Sequence, residues 1–99
     1  MGNFEQLISE DIRLVMLRCL EEVSDYSLNE SVLLSALGAF GHHVSRDRVR
    51  TEMDWLAEQN LITIDMISDI RIAVLTARGA DAACGRATVS GVKRPGPRG

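Results

Sequence analysis

The hydrophobic period of this chain changes at Asn60. Before that residue apolar side chains recur at steps of three and four, and after it they alternate. In "LITIDM", Ile62, Ile64 and Met66 alternate with Thr63 and Asp65; in "IRIAVLT", Ile70, Ile72 and Val74 alternate with Arg71 and Ala73. A period of about 3.6 belongs to an amphipathic helix and a period of two to a strand buried on one face. The two β-branched runs flank Ile67-Ser68-Asp69, which reads as a hairpin. With 99 residues the chain makes one domain, so the helices and the hairpin share a single core.

The helices can be bounded by their caps. Ile8, Ile12, Val15, Met16, Cys19, Leu20 and Val23 predict a first helix over 9–23, capped by Ser9, with Leu14 and Leu17 widening its apolar face. "SLNESVLLSALGAFG" predicts a second, capped by Ser27 or Asn29 and stopped by Gly41. Ser45 caps a third over 46–59, with Val49, Met53, Leu56 and Ala57 inward and Asn60 as its end. Thr76 caps a short final helix, "ARGADAACG". Residues 86–99 have no periodicity and are rich in Gly and Pro; they read as a flexible basic tail beyond a folded domain of residues 1–85.

Charge divides along the same line. Residues 1–85 hold all fourteen acids and seven arginines, a balance of −7, while 86–99 carry Arg86, Lys93, Arg94 and Arg98 and no acid. An acidic body with a basic tail differs from the usual footprint of a nucleic-acid binder, which concentrates positive charge on one face. Cys19 and Cys84 are too few and too far apart for a disulfide framework or a zinc site, and Cys19 on the apolar stripe reads as a small buried hydrophobe. No stretch reaches the roughly 20 apolar residues of a membrane span, and residues 1–10 lack the pattern of a secretory signal. The expected setting is the cytoplasm.

Helix, helix, turn, helix, hairpin, helix is the order of a winged helix-turn-helix. "VSRDRVRTEMDWLAEQNLITI" running into "IAVLTARG" resembles winged-helix regulators of the ArsR, MarR and PadR kind. A narrower resemblance covers nearly the whole chain. "YSLNESVLLSALGAFGHHVSRDRVRTEMDWLAEQNLI", with the terminal "GVKRPGPRG", is similar to a family of small proteins encoded by Mu-like phages and prophages. The resemblance implies a mainly α fold with a small β-hairpin: a three-helix core, a wing and a short C-terminal helix. It also implies a phage setting, in the cytoplasm of a bacterial host.

In a DNA-reading winged helix the third helix lies in the major groove. A 100° step per residue puts Asp47, Arg50, Thr51, Asp54, Trp55 and Glu58 away from Val49, with Arg48 on the flank and Arg46 at the helix start. The candidate DNA contacts are Arg46, Arg48, Arg50 and Thr51, with Lys93 and Arg94 as auxiliary phosphate contacts. A competing reading pairs Arg50 with Asp54 and Arg48 with Glu52 at i,i+4, giving a solvated, salt-bridged face. The wing carries Asp65, Ser68 and Asp69 with only Arg71 as a base, which favours a hairpin that closes the core over one that grips phosphate. Trp55, the lone Trp, is expected to be covered by the second helix or the wing. His42 and His43 lack the spacing of a metal chelate and read as turn residues.

There is no motif of an activated nucleophile, phosphate loop or paired acids, so neither an enzyme nor a cofactor is expected. Double-stranded DNA binding in a regulatory role is the expected function. A homodimer is also expected, from the apolar excess of the first helix. The alternative is a protein–protein interaction module, with a phage protein as partner, that keeps the winged-helix scaffold without using it on DNA.

Overall fold

A computed structural model describes residues 2–96. The elements run α1 (Gly2–Glu22), β1 (Ser27–Asn29), α2 (Glu30–Ala39), α3 (Arg46–Glu58), β2 (Ile62–Ile67), β3 (Ile70–Leu75) and α4 (Ala77–Cys84). Among the described residues four helices accompany a three-stranded antiparallel sheet of order β1-β3-β2, an arrangement compatible with a winged helix.

The period change is real and sits where a helix stop places it. Asn60 takes a left-handed φ of 63° after α3. The N–H of Leu61 then returns to the Leu56 carbonyl at 3.0 Å and that of Asn60 to Ala57 at 3.0 Å, closing the helix end. Gly41 ends α2 in the same way, with φ 92° and a 2.8 Å bond from His42 N to Leu37 O. The hairpin pairs Ile67 with Ile70, and Ser68 adopts the positive φ of 55° that a two-residue turn requires.

The expected caps of three helices hold. The side chains of Asn29, Ser45 and Thr76 accept from Val32 N, Arg48 N and Gly79 N respectively. Thr76 also donates its hydroxyl to Asn60 O at 2.7 Å, which ties the start of α4 to the end of α3. Gly79 packs so closely that an added Cβ would run into the Leu61 carbonyl.

Three expectations are corrected. α1 begins at Gly2, two turns before Ser9. Those turns expose Phe4 and Leu7, so no buried stripe announces them, and Ser9 instead accepts a hydrogen bond from Arg48 on the helix flank. Ser27–Asn29 forms β1 against β3, with Leu28 opposite Ala73. The third correction concerns residues 86–96, which were read as the start of a flexible tail. Val89 and Val92 are buried, Lys93 N bonds to Glu10 O, and Arg13 Nη1 donates to Gly91 O at 2.9 Å. Pairs of apolar residues without local periodicity still bury when a groove elsewhere accepts them. Residues 97–99, Arg98 among them, lie outside the described residues.

The core gathers Ile12, Met16, Leu17 and Leu20 of α1, Leu33 and Leu37 of α2, and Val49, Met53 and Leu56 of α3 around Leu61, Ile62 and Ala73. Each of the Leu, Ile, Val and Met side chains contributes roughly 1.5–3 kcal/mol on burial. Leu14 and Leu17, the apolar excess of α1, are buried within the chain itself.

Candidate functional site

The arginines at the start of α3 surround two buried carboxylates. Glu30, the first residue of α2, is fully buried. It accepts from Arg50 Nε at 2.6 Å and Arg50 Nη2 at 3.1 Å, and Arg46 Nη1 lies 3.5 Å away. Its Oε2 also accepts the backbone N–H of Arg71 at 2.8 Å. That last bond has a cause in the sheet. The N–H of Leu75 points toward β1 and donates to Tyr26 O. Arg71 lies on the same edge of β3, but β1 has ended at Asn29 and offers it no strand backbone. The carboxylate of Glu30 takes the place of the missing strand. Arg50 is the main reason that the Glu30 carboxyl is pulled down to about 2. The Arg71 N–H adds to this, and the two outweigh the cost of burial.

Glu52, on the inner side of α3, is nearly as buried. Its two oxygens accept from Arg13 Nε at 2.7 Å and Arg48 Nε at 2.8 Å. Arg48 Nη2 goes on to Ser9 Oγ at 2.8 Å. Arg13 stacks 3.9 Å over the ring of Trp55. Trp55 is partly covered, with Arg13 of α1 and Gly91 among the groups that cover it. Gly91 has a φ of 98°, and a Cβ there would strike the indole.

The i,i+4 pair of Arg48 with Glu52 is present, but that of Arg50 with Asp54 is not. Asp54 is held instead by Arg71 Nη1 at 2.7 Å, and Arg50 turns to Glu30. Arg46 donates to Ser31 Oγ at 3.0 Å. Thr51 is exposed. Lys93 is 3.4 Å from Asp11 on α1, and Arg94 is exposed beyond it. The six expected DNA contacts thus do not converge as free donors: three are committed to buried carboxylates and Lys93 faces an acid on another helix.

Besides Arg46 at its start, the exposed residues of α3 are Asp47, Thr51, Asp54 and Glu58, spaced by four, three and four residues on one face. Asp47 and Glu58 have no ion-pair partner among the described residues, and neither do Asp65 and Asp69 on the hairpin. Arg13, Arg46, Arg48, Arg50 and Arg71 meet seven acids across this region, so its balance is negative. At the hairpin tip Met66, Ile67 and Ile70 are exposed. The sequence reading missed this apolar tip because strict alternation suggested one buried face along the whole hairpin.

Elsewhere, a groove of about 340 Å³ between α1, Phe40 and Lys93 is floored by Leu14, Val15 and Cys19. Burial pushes the Cys19 thiol up, which suits a packed hydrophobe and not a nucleophile. His42 bonds to Asp11 Oδ2 at 2.7 Å. Burial pushes the Asp11 carboxyl up, but the bonds from His42 and Lys93 together hold it below its ordinary value. No helix among the described residues is long and apolar enough to cross a membrane.

The chain is 51% identical over 92 residues to the uncharacterized protein gp26 of Escherichia phage Mu, an alignment covering 93% of this chain and 95% of that one. The chain belongs to the gp26 family of Mu-like phage proteins. An uncharacterized protein of Haemophilus influenzae is 46% identical over 77 residues, covering 77% of this chain and 74% of its own length. No protein-family model matches the sequence. No solved structure matches either.

Proposed function

We propose that this gp26-family protein is a winged-helix scaffold that docks another protein through α3 and the hairpin. The observation that supports the reading is the fate of the α3 arginines. Arg48 and Arg50 each donate to a buried carboxylate, and Arg46 flanks one of them. The outward row of Asp47, Asp54 and Glu58 would meet a phosphate backbone with like charge. Duplex affinity rests on neutralising phosphates with free cations, whereas an acidic face with an apolar edge is chemistry for a protein partner. The phage family makes that partner a phage or host protein met during infection.

Duplex DNA is the second reading, favoured by one observation: the side chains of Arg46, Arg48 and Arg50 remain 46%, 35% and 38% exposed at the α3 N-terminus. One experiment separates the two. The tagged chain is purified from cells during infection by its parent phage, beside Asp54→Lys/Glu58→Lys, and both are titrated with mixed-sequence duplex at low salt. Docking predicts a co-purifying protein lost in the charge reversal, and no salt-dependent duplex binding by the wild type. Duplex binding that disappears on replacing Arg46, Arg48 and Arg50 would return the site to DNA.

A further inference from the structure

The hairpin leaves one strand edge open. The amides of Arg71 and Leu75 point toward β1, where they meet Glu30 and Tyr26. Ile70, Ile72 and Val74 must therefore exchange hydrogen bonds with their register partners Ile67, Asp65 and Thr63 on β2. It follows that the N–H and C=O groups of Ile64 and Met66 point away from β3, into the open edge. Ile62 does the same but is buried, so the accessible stretch begins at Thr63.

Edges of this kind are normally blunted by a bulge, a proline, a lysine or a covering element. β2 has none of the first three: its register runs unbroken from Ile62 to Ile67, and "ITIDMI" holds no Pro or Lys. Its side chains also invite cover on both faces. Met66 is exposed on the face it shares with Arg71 and Ala73; Ile67 and Ile70 are exposed on the other, beside Asp65. An extended segment laid along β2 places alternate side chains on each face, which is what this distribution of apolar groups requires.

Asp65 selects the occupant. A second copy of β2 placed antiparallel so that Ile64 meets Met66 sets Asp65 against Asp65, and like charges directly opposite are unfavourable. Two registers would relieve this: one centred on Ile64 needs the buried Ile62, and one centred on Met66 sets Ile64 against Ser68, which turns away from the strand at a φ of 55°. We propose that β2 accepts a short extended segment of another protein, antiparallel to it, with Lys or Arg across from Asp65 and apolar residues across from Met66 and Ile67. This rests on the reading of the chain as a protein-docking module and names how the partner is held: by strand addition at the edge, with Asp65 reading its charge.

The test uses the full chain and two synthetic peptides of alternating Val and Thr, identical but for a central Lys or Glu. Backbone amide shifts are followed by NMR. The Lys peptide should move the amides of residues 63–67 saturably and slow the exchange of the Ile64 and Met66 amides. It should bind roughly two- to fivefold more tightly than the Glu peptide. Asp65→Lys should reverse that order. Met66→Pro removes an outward N–H that β3 does not use, and should abolish binding of both peptides while leaving the remaining amide spectrum folded. Shifts absent from β2, or equal for the two peptides, overturn the proposal. A concentration-dependent dimer that Met66→Pro removes also overturns it, by giving the edge to a second copy. These outcomes are independent of the docking reading, which fails instead if duplex DNA binds through the α3 arginines.

Discussion

Arg50 of α3 holds Glu30 of α2 in a two-bond clasp, Nε to Oε1 at 2.6 Å and Nη2 to Oε2 at 3.1 Å. The clasp joins three elements, because Glu30 also receives the Arg71 amide of β3. A buried carboxylate is tolerated only where its lone pairs are filled. Glu30 fills them with two bonds from Arg50 and one from a strand-edge amide, with the Arg46 guanidinium 3.5 Å away as a further positive charge. Arg50, one of the residues that the sequence offers for reading DNA, is therefore engaged in holding the α2–α3–sheet junction together, with Arg46 beside it.

The clasp should give the protein an acid-sensitive component of stability. The folded carboxyl of Glu30 lies at about 2, against an ordinary value of 4.5. A depressed folded value means that the contribution is complete above about 4.5 and is lost as the pH falls toward 2. Urea unfolding at pH 7, 4.5, 3 and 2 should show this loss in the wild type. Glu30→Gln should be less stable by about 1–3 kcal/mol at pH 7, since its amide accepts from Arg71 without matching two guanidiniums. Its stability should fall less steeply between pH 4.5 and 2. Parallel curves for the two proteins through that window would remove Glu30 as the source.

The strand of chain from 86 to 96 should behave as part of the core. Ending the chain after Gly85 strips Val89 and Val92 from their groove and uncovers Trp55. A loss of about 2 kcal/mol or more is expected, with a red shift of the single tryptophan's emission. Gly91→Ala should mimic the truncation in part, because it sets a Cβ against the indole at a positive φ. An unshifted Trp55 spectrum in the chain ending at Gly85 would contradict the packing.

Gly79 poses a narrower case. Its neighbour is the backbone carbonyl of Leu61, which cannot swing aside as a side chain would. Gly79→Ala should cost about 1–3 kcal/mol despite the better helix propensity of alanine. A melting temperature equal to or above that of the wild type would show that α4 can shift away from Leu61.

What could be read from the sequence was whatever had a local cause. Asn29, Ser45 and Thr76 cap helices because their oxygens reach an amide three residues on, and Asn60 stops α3 within the same turn. The pair of Arg48 with Glu52 was legible for the same reason: four residues on a helix is one turn. The rest depended on distance along the chain. Arg50 finds its partner 20 residues back and Arg71 its carboxylate 41 residues back, and no periodicity encodes either. Val89 and Val92 were hidden among Gly and Pro because their segment is fastened far back along the chain, at Glu10 and Arg13 of α1 and beside Trp55 of α3. β1 was hidden because three residues are too few for alternation to register. The acidic row on α3 was readable by helical angle, but its weight came only once the neighbouring arginines were seen to be occupied.

Replacing those arginines should therefore damage the fold more than any DNA complex. In Arg46→Ala/Arg48→Ala/Arg50→Ala, Glu52 keeps Arg13, but Glu30 keeps only the Arg71 amide. Removing the partners of a buried charge is expensive, and a loss of about 3–5 kcal/mol is expected. For a chain of this size each kcal/mol lowers the melting temperature by roughly 4–8 °C, so calorimetry should show the effect directly. Adding Glu30→Gln to the triple variant should recover part of the loss, since it removes the stranded charge. Duplex binding at low salt should be as weak in the triple variant as in the wild type. A variant that melts with the wild type yet loses a salt-dependent duplex affinity would mean that the arginines serve DNA and that their ion pairs are incidental.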